Sequence, residues 1–370
     1  MEELYMRRAL ELAKKGEGRV NPNPMVGAVI VKDGEIIGEG YHEYCGGPHA
    51  EVNAIANASR PVKGAEIYVT LEPCHHHGKT PPCVDALIRN KFSRVVIGQK
   101  DPNPLVAGKS IEKLKQLGIE VQVGILEDEC KKLNEVFNKF IVTCEPFVVL
   151  KSGISLDGKI ATSSGESKWI TGEEARAEVQ RLRNKLSGIM VGADTVIKDD
   201  PLLTCRIPGG RNPVRIVVDS TLRIPSNAKV LDVHEGSQCI IATTEKASSE
   251  KIEALRSKGV KILVLPQNKG RVSLKALMKE LGREKIDSIL LEGGGSLNYS
   301  ALRENIVDKV QYYIAPKIIG GKDAKTSVEG DGIENLKDAF VLNNLQCRMV
   351  GNDILVEGYL KEGEYNCLPE

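Results

Sequence analysis

The feature that most constrains the fold of this chain is the alternation of strand-like and helix-like segments, in two successive series. In the first series, residues 1–16 have apolar residues at helical spacing, and Asp33-Gly34 separates two β-rich runs as a hairpin turn would. Helical and strand patterns then alternate in HAEVNAIANA (49–58), EIYVTLEP (66–73), PPCVDALIRN (81–90), RVVIGQ (94–99) and IEKLKQLGIEVQVGI (111–125). This order predicts a sheet covered by helices, an α/β layer fold.

A second α/β series begins near Pro146 and has about 215 residues in which to form its own sheet. Its strand-like runs include FVVLKSGISLDGKIA (147–161), GIMVGADTV (188–196), VRIVVDS (214–220), QCIIATT (238–244) and SILLEGGG (288–295), and EEARAEVQRLRNKL (173–186) is helical. A chain of 370 residues is too long for one typical hydrophobic core. We therefore predict two domains, residues 1–145 and 146–360, followed by a disordered tail over 361–370, which lacks periodicity.

The charge balance of the chain argues against a polynucleotide partner. Lysine and arginine number 51 against 50 acidic residues, and aromatic residues make up 4%. Nucleic-acid binders usually have a cationic face and often stacking aromatics. No apolar run is long enough to span a membrane, and the charged start has no signal-peptide core. Nine scattered cysteines do not resemble a secreted disulfide framework. We expect a cytoplasmic protein that acts on a small molecule.

The stretch CHHHGKTPPC (74–83) contains five candidate ligands for a transition metal. Upstream, His49 and Glu51 stand in H-A-E, so the chain contains the H-x-E…P-C…C elements of zinc deaminases, in which one histidine and two cysteines hold the metal. The glutamate is not a ligand in that signature. His49, Cys74 and Cys83 are predicted to bind zinc, and Glu51 to take a proton from the zinc-activated water and pass it to the departing amine.

This stretch departs from the short motif, because eight residues separate Cys74 from Cys83 instead of two. Pro81-Pro82 can lead the chain rigidly into a helix that begins at Cys83, a position expected to lower the pKa of this thiol. Two alternatives stay open: a structural zinc with a histidine from 75–77 as fourth ligand, or a solvated histidine cluster. The upstream H-A-E favours the catalytic interpretation.

The stretch LEGGGSLNYSAL (291–302) runs from an apolar strand through glycines into a helical pattern. Glycines let a backbone approach phosphates, and a helix N-terminus attracts them. The stretch lacks the G-x-G-x-x-G spacing of a Rossmann turn, and glycines that end an element are the plain alternative.

Further motifs make the first half recognisable. NPMVGAVIV, GYHEYCGGPHAE, YVTLEPC, HGKTPPC and DPNP occur in the order found in the deaminase half of the bifunctional riboflavin-biosynthesis deaminase/reductase family, which this chain resembles. The resemblance implies a cytidine-deaminase-like α/β/α layer domain and a pyrimidine nucleotide substrate. It places zinc ligands at His49, Cys74 and Cys83, the acid/base at Glu51, and substrate contacts at Asn23, His42, His76, Lys79 and Asn103. The family usually has a small residue at position 75, so His75 is a departure.

The second half resembles the reductase half of the same family, which is dihydrofolate-reductase-like in fold. KSGISLDGKIA (151–161), GESKWIT (165–171) and VGADTVIKDDPLLTCR (191–206) carry this resemblance. It implies NADPH and reduction of a ribosylamino to a ribitylamino group. Cofactor contacts implied by the resemblance fall on Gly153, Trp169, Thr195, Asp199, Gly294, Gly295, Ser296, Leu297, Asn298, Tyr299 and Ser300; Thr221 is a further cofactor candidate at the end of the strand-like run VRIVVDS. Substrate contacts fall on Lys151, Ser167, Arg183, Leu203, Arg206 and Glu292.

The charges in these motifs suit the implied chemistry. Arg183 and Arg206 can bind a ribose phosphate as a guanidinium fork, and Lys151 or Asp199 can donate the proton that accompanies hydride transfer. Ser220-Thr221 with Arg223 suits the 2′-phosphate of NADPH. For these positions the alternatives are a core role for Trp169, a turn at Asp199-Asp200, and a turn at Arg223.

We therefore expect a bifunctional enzyme that forms a homo-oligomer and uses zinc and NADPH. The competing interpretations are a zinc deaminase that acts on nucleic acid and a non-enzymatic protein with structural zinc.

Overall fold

The computed structural model of the protein describes residues 1–75, 81–103, 106–234 and 237–360. The chain divides into two compact units, an N-terminal unit of Met1–Cys144 and a C-terminal unit that begins at Glu145. Each unit has its own sheet and its own core. Within the described ranges, no helix combines the length and apolarity needed to cross a bilayer.

The N-terminal unit is a five-stranded sheet with helices on both faces. Its strands are β1 (Gly27–Lys32), β2 (Glu35–Tyr41), β3 (Glu66–Leu71), β4 (Arg94–Gln99) and β5 (Glu120–Val123). Its helices are α1 (Glu2–Lys14), α2 (Ala50–Ala56), α3 (Cys83–Arg89), α4 (Lys109–Gln116), α5 (Glu127–Leu133) and α6 (Glu135–Thr143). The strand order is β2-β1-β3-β4-β5; β1 is antiparallel to both neighbours, whereas β3, β4 and β5 are parallel.

The predicted hairpin between β1 and β2 is confirmed, and helix α2 packs against it. Asp33 and Gly34 both have left-handed backbone angles, with φ of 54° and 79°, as a two-residue turn between twisted strands requires. A Cβ on Gly40 of β2 would lie 2.5 Å from the carbonyl oxygen of Ala50. Helix α2 therefore packs directly on the hairpin, and its first turn is fixed over the sheet.

The C-terminal unit is built on a nine-stranded sheet. Its strands are β6 (Phe147–Ser155), β7 (Gly188–Gly192), β8 (Val214–Val218), β9 (Cys239–Thr243), β10 (Lys261–Val264), β13 (Ser288–Leu291), β14 (Lys309–Ala315), β15 (Asn343–Val350) and β16 (Asp353–Tyr359); β11 (Gln267–Asn268) and β12 (Arg271–Val272) form a separate small ribbon. Its helices are α7 (Glu173–Lys185), α8 (Ala193–Asp199), α9 (Ser249–Arg256), α10 (Leu274–Arg283) and α11 (Gly295–Arg303).

The order of the large sheet is β10-β9-β8-β7-β13-β6-β14-β16-β15. Every neighbouring pair from β10 to β14 is parallel, and β16 and β15 add an antiparallel edge. Parallel strands are buried on both faces, which explains the continuous apolar runs in β7 and β13. The carboxyl ends of the parallel strands share one edge of the sheet, where ligands of open α/β sheets bind.

The fold differs from the sequence prediction in several details. The run FVVLKSGISLDGKIA is a strand only as far as Ser155. The run GIMVGADTV is a strand only as far as Gly192, and Ala193 begins α8. Helices α5 and α6 and the antiparallel β15–β16 edge were not predicted individually.

Candidate active sites

The three predicted metal ligands lie together in the N-terminal unit. Nδ1 of His49 is 3.5 Å from Sγ of Cys74 and 3.2 Å from Sγ of Cys83, and one ligand atom from each residue lies within 4.8 Å of the others. His49 directly precedes α2, Cys74 follows β3, and Cys83 begins α3. Two thiols and an imidazole on three fixed elements are a donor set that suits zinc. The residues present therefore fit the metal.

The electrostatics of the two cysteines differ from the sequence prediction. The thiol of Cys83 hydrogen-bonds Cys74, and this interaction raises the pKa of Cys83 well above its usual value while it lowers the pKa of Cys74. The backbone N–H of Cys83 also donates to Sγ of Cys74 at 3.2 Å. The lowered pKa expected at the α3 N-terminus is therefore found on Cys74 and not on Cys83. The helix end stabilises the neighbouring Cys74 thiolate instead.

Glu51 lies in the first turn of α2, two residues after His49, and is 3% exposed. Burial raises the pKa of Glu51, and the nearby Cys74 raises it further. The carboxyl group also interacts with Cys83. A raised pKa makes a carboxyl group easier to protonate, so Glu51 has the properties of a general acid/base beside the three candidate ligands.

Asn23 and His42 form a hydrogen-bonded pair near the metal ligands. Nδ1 of His42 lies 3.0 Å from the carbonyl oxygen of Pro48, so Nδ1 carries the proton and donates it. Burial lowers the pKa of His42, which favours the neutral ring. Nε2 therefore accepts from Nδ2 of Asn23 at 3.2 Å. Oδ1 of Asn23 is consequently turned away from His42, and the ring of His42 packs edge-on against His49.

The remaining predicted deaminase residues are in three situations. Asn103 lies in the loop after β4, where its backbone N–H donates to Oδ1 of Asp101. His76 and Lys79 lie outside the described residues. His75 is described, but the group of potential metal ligands in the described part of the chain does not include it, and its Nδ1 is buried without a hydrogen-bond partner there.

Sequence reasoning missed Glu72, which organises the loop that carries Asn103. Its carboxylate accepts the backbone N–H groups of Asp101 at 3.3 Å, Gly108 at 3.0 Å and Ser110 at 3.2 Å. Glu72 thereby ties the strand end that leads to Cys74 to the α4 N-terminus. The only signal in the sequence was an acidic residue inside TLEPC, two positions before the candidate ligand Cys74.

The C-terminal unit brings together three predicted substrate residues at its sheet edge. Arg183 of α7 donates to Glu292 through Nη2 at 2.9 Å and Nε at 3.4 Å, and Nη1 donates to the carbonyl of Thr204 at 3.1 Å. Leu291 of β13 is in register with Leu150 of β6, so the following residues, Glu292 and Lys151, are neighbours.

The charges of this group depend on one another. Burial alone would raise the pKa of Glu292, but Arg183 and Lys151 outweigh it, and the pKa is lowered. Burial lowers the pKa of Lys151, while Glu292 opposes and Arg183 adds to the decrease. Nζ of Lys151 lies 6.0 Å from the ring centroid of Tyr313, a neighbour that sequence reasoning missed. Lys151 is therefore a lysine whose proton is held less firmly than usual.

The predicted glycine-rich cofactor segment forms the start of α11. Gly294 precedes the helix, and no described side chain caps its N-terminus. A Cβ on Gly294 would meet nothing within 4 Å, whereas one on Gly295 would lie 2.8 Å from the carbonyl of Thr326. Asn298 is fully buried and donates to the carbonyl oxygens of Gly293 and Ser327. An open glycine at a nine-residue helix N-terminus suits a phosphate, so the segment fits a dinucleotide.

The other predicted cofactor residues in and around this segment make hydrogen bonds to backbone carbonyls or packing contacts. Ser300 donates to the carbonyl of Ser296, and Tyr299 donates to the carbonyl of Gly332. Leu297 packs beside Gly192 at the end of β7, next to the helix that contains Thr195. A Cβ on Gly153 would lie 3.2 Å from the side chain of Thr171.

Trp169 is 58% exposed, so the core alternative for this residue is wrong. The guanidinium of Arg176 lies 4.7 Å from its ring centroid, and Lys317 donates to its carbonyl. An exposed aromatic face held by an arginine is available to a planar ligand.

Asp199 and Asp200 separate into two roles. Asp199 is the exposed last residue of α8. Asp200 has left-handed backbone angles and accepts the backbone N–H of Lys229 at 2.8 Å, so it is the residue that forms the turn.

The remaining predicted substrate and phosphate residues, which lie before α7 or after α8, do not join the group of Lys151, Arg183 and Glu292 through the hydrogen bonds described. Leu203 is buried with a φ of 55°, Ser167 is partly exposed, and Arg206 is exposed, with its backbone N–H bound to Gln180. The backbone N–H of Thr221 donates to Asp219. Arg223 pairs with Asp194 at 2.9 Å, and both side chains are exposed.

Comparison with known proteins agrees with this division of the chain. Residues 1–99 match the cytidine and deoxycytidylate deaminase zinc-binding region, and residues 146–356 match the RibD C-terminal domain. The riboflavin biosynthesis protein RibD of Actinobacillus pleuropneumoniae is 51% identical, with 95% of this chain and 94% of that protein covered. RibD of Aquifex aeolicus is 45% identical, with 95% and 96% covered.

Solved structures give the same result. RibD of Acinetobacter baumannii superposes with a TM-score of 0.87 at 39% identity, covering 97% of this chain and 98% of that one. A Thermotoga maritima structure described as a diaminohydroxyphosphoribosylaminopyrimidine deaminase/5-amino-6-(5-phosphoribosylamino)uracil reductase has a TM-score of 0.84 at 41% identity, with the same coverage. The chain therefore belongs to the RibD family of riboflavin-biosynthesis proteins and is a bifunctional deaminase and reductase.

Proposed function

We propose that the N-terminal unit removes the exocyclic amine of 2,5-diamino-6-ribosylamino-pyrimidinone 5′-phosphate by hydrolysis. The observation that carries this proposal is the cluster of His49, Cys74 and Cys83 beside the buried acid Glu51. The three residues would hold zinc, which activates water when bound. A structural zinc site would use a fourth protein ligand. Glu51 is not one of the metal ligands in the zinc-deaminase signature, so a structural site would give this buried acid no task.

Glu51 and Asn23 have separate tasks in this proposal. Glu51 takes a proton from the attacking water and returns it to the leaving nitrogen, for which its raised pKa is suitable. Asn23 presents Oδ1 to the pyrimidine, because His42 already occupies its Nδ2. Asn103, with His76 and Lys79, is assigned to the rest of the substrate on the family pattern.

In the C-terminal unit, we assign reduction of the deaminated ribosyl compound to its ribityl form, with NADPH as the hydride source. The Gly294–Ser300 segment would hold the phosphates at the α11 N-terminus, with Gly153, Trp169, Thr195, Asp199 and Thr221 completing the cofactor site. Ser167, Leu203 and Arg206 would contact the substrate alongside the charged group of Lys151, Arg183 and Glu292.

Lys151 is the better candidate for the reductase proton donor. Its pKa is lowered by burial, which makes its proton easier to give up, and the neighbouring Glu292 carboxylate opposes that decrease. Asp199 is exposed at the end of α8, whereas Lys151 belongs to the charged group formed with Arg183 and Glu292. We therefore assign proton donation to Lys151 and orientation of Lys151 to Glu292.

We also propose that the protein acts in the cytoplasm as a homo-oligomer on small molecules, without nucleic-acid or membrane partners. The eight cysteines in the described ranges are unpaired, which suits a reducing compartment. Edge strand β15 exposes Leu345 and Met349, each more than 60% accessible, and Val341 just before the strand is 68% accessible. An exposed apolar sheet edge favours pairing with a second copy.

The proposed deaminase substrate is tested by comparing deamination of the pyrimidine ribosyl phosphate with deamination of cytosine in single-stranded DNA and RNA. We expect ammonia release from the nucleotide alone. Release from the polynucleotides at comparable kcat/KM would favour the nucleic-acid deaminase instead.

A further inference from the structure

The loop that carries Asn23 is held by a residue from the other end of the N-terminal unit. Oδ1 of Asn134 accepts the backbone N–H of Met25 at 2.8 Å, and Nδ2 of Asn134 donates to the carbonyl oxygen of Met25 at 3.0 Å. One side chain thus satisfies both backbone groups of a residue 109 positions away, in the way that a neighbouring strand would. Asn134 is 2% exposed and Met25 is 9% exposed.

Asn134 is itself fixed at the junction of α5 and α6. Its backbone N–H donates to the carbonyl of Cys130 in α5, and its carbonyl accepts the N–H of Asn138 in α6. The amide therefore projects from a rigid position. If it were removed, both polar groups of Met25 would be left buried without these partners, which is a strong penalty for the present loop conformation.

The position of Met25 determines where Asn23 lies. Asn23 is two residues before Met25, and the residue after Met25, Val26, accepts the N–H of His42 at 2.9 Å. Met25 is thus the point at which the loop enters the hairpin and the pair of Asn23 and His42 is set.

We propose that Asn134 is a positioning residue for deamination, which acts by holding Asn23 in the orientation that reads the pyrimidine. The inference rests on the proposed function of Asn23. Asn134 does not touch the substrate in this account, and its effect passes through the backbone at Met25. Misplacement of a binding group by about 1 Å can cost about 100-fold in rate.

The chain offers a matched control in Asn138. It is also a buried asparagine, on α6, and its side chain accepts from Gln99 and donates to the carbonyl of Lys131. In the described structure its hydrogen bonds do not reach the Asn23 loop. Loss of the Asn138 side chain removes buried hydrogen bonds from α6 without releasing Met25.

The test is a double-mutant cycle on the zinc-loaded full chain, with zinc content and reduction of supplied deaminated substrate as controls for intact protein. We expect Asn134→Ala to lower deaminase kcat/KM at least about tenfold, and Asn138→Ala by less than about threefold. In an Asn23→Ala background, Asn134→Ala should add less than about threefold, because the group it positions is gone. Asn134→Asp keeps the acceptor but places an oxygen against the Met25 carbonyl, so it should also lose activity.

Three results would overturn the inference: a full, additive loss from Asn134→Ala in the Asn23→Ala background, an equal loss from Asn138→Ala, and an unchanged kcat/KM in Asn23→Ala. If Asn134→Ala does not fold, the same double-mutant cycle with Asn23→Ala is measured with Asn134→Asp. Parent-like kcat/KM in Asn23→Ala alone would remove Asn23 from the pyrimidine site and the inference with it, while zinc-dependent turnover in that variant would leave the deaminase assignment standing.

Discussion

The backbone N–H of Cys83 donates to Sγ of Cys74 at 3.2 Å, so the first residue of α3 stabilises negative charge on the ligand that follows β3. Helix α3 thereby does more than supply one thiol. Its first N–H also favours the thiolate form of Cys74, which is the form that a metal would take up.

Replacement of Cys83 by serine should release zinc and abolish deamination. The change removes one of the three ligands and the thiol that hydrogen-bonds Cys74. Metal analysis after dialysis provides the measurement, and Cys45→Ser, an exposed cysteine of the same unit, is the matched control. Full zinc occupancy in Cys83→Ser would show that a histidine from residues 75–77 is the true third ligand.

Glu51→Gln should keep its zinc and lose deamination by about 100- to 10,000-fold, because it removes proton transfer and no ligand. The same variant should reduce supplied deaminated substrate at the parent rate, since every residue assigned to reduction lies in the C-terminal unit. Zinc content and the two rates are measured on one preparation. Substantial deamination by the zinc-loaded variant contradicts the acid/base role, and loss of NADPH oxidation contradicts the separation of the two sites.

The pH dependence of reduction should identify Lys151 as proton donor. A donor must be protonated, so kcat/KM falls as pH rises through its pKa. Glu292 raises the pKa of Lys151 and Arg183 lowers it. The alkaline limb should therefore move to lower pH in Glu292→Gln and to higher pH in Arg183→Met. Shifts in the same direction, or an unmoved limb in both variants, would remove Lys151 from this role.

The reductase should prefer NADPH to NADH, and Arg223 should contribute to that preference. Because Arg223 already pairs with Asp194 at the surface, removal of either partner distinguishes two roles. If Arg223 binds the 2′-phosphate, Arg223→Ala lowers the ratio of kcat/KM for NADPH over NADH, whereas Asp194→Asn raises it by freeing the guanidinium. An unchanged ratio in both variants would leave Arg223 with a surface ion pair, which is worth little.

Short-range signals in the sequence predicted local features well. The Asp33-Gly34 turn depends on two residues that tolerate left-handed angles, and the glycines before α11 depend on a strand-to-helix transition within a few residues. The cluster of His49, Cys74 and Cys83 was also predictable, because metal binding restricts both residue type and order. In each case the type and order of nearby residues are enough to predict the feature.

Features that depend on the direction of tertiary hydrogen bonds were not predictable. Position at a helix N-terminus suggested a low pKa for Cys83, but the thiol donates to Cys74 and the effect is reversed. Glu72 and Asn134 act on backbone groups far along the chain, and a backbone partner leaves no residue-type signal in the sequence. The exposure of Trp169 likewise depends on tertiary packing, which the residue type alone does not indicate.

The most direct test of the account is incubation of the zinc-loaded protein with 2,5-diamino-6-ribosylamino-pyrimidinone 5′-phosphate, with and without NADPH, followed by mass spectrometry. Without NADPH, we expect one product in which an amino group is replaced by oxygen, with release of ammonia. With NADPH, that product should gain a hydride and a proton as the ribosyl chain becomes ribityl. Unchanged starting material in both reactions, or reduction without prior deamination, would contradict the account.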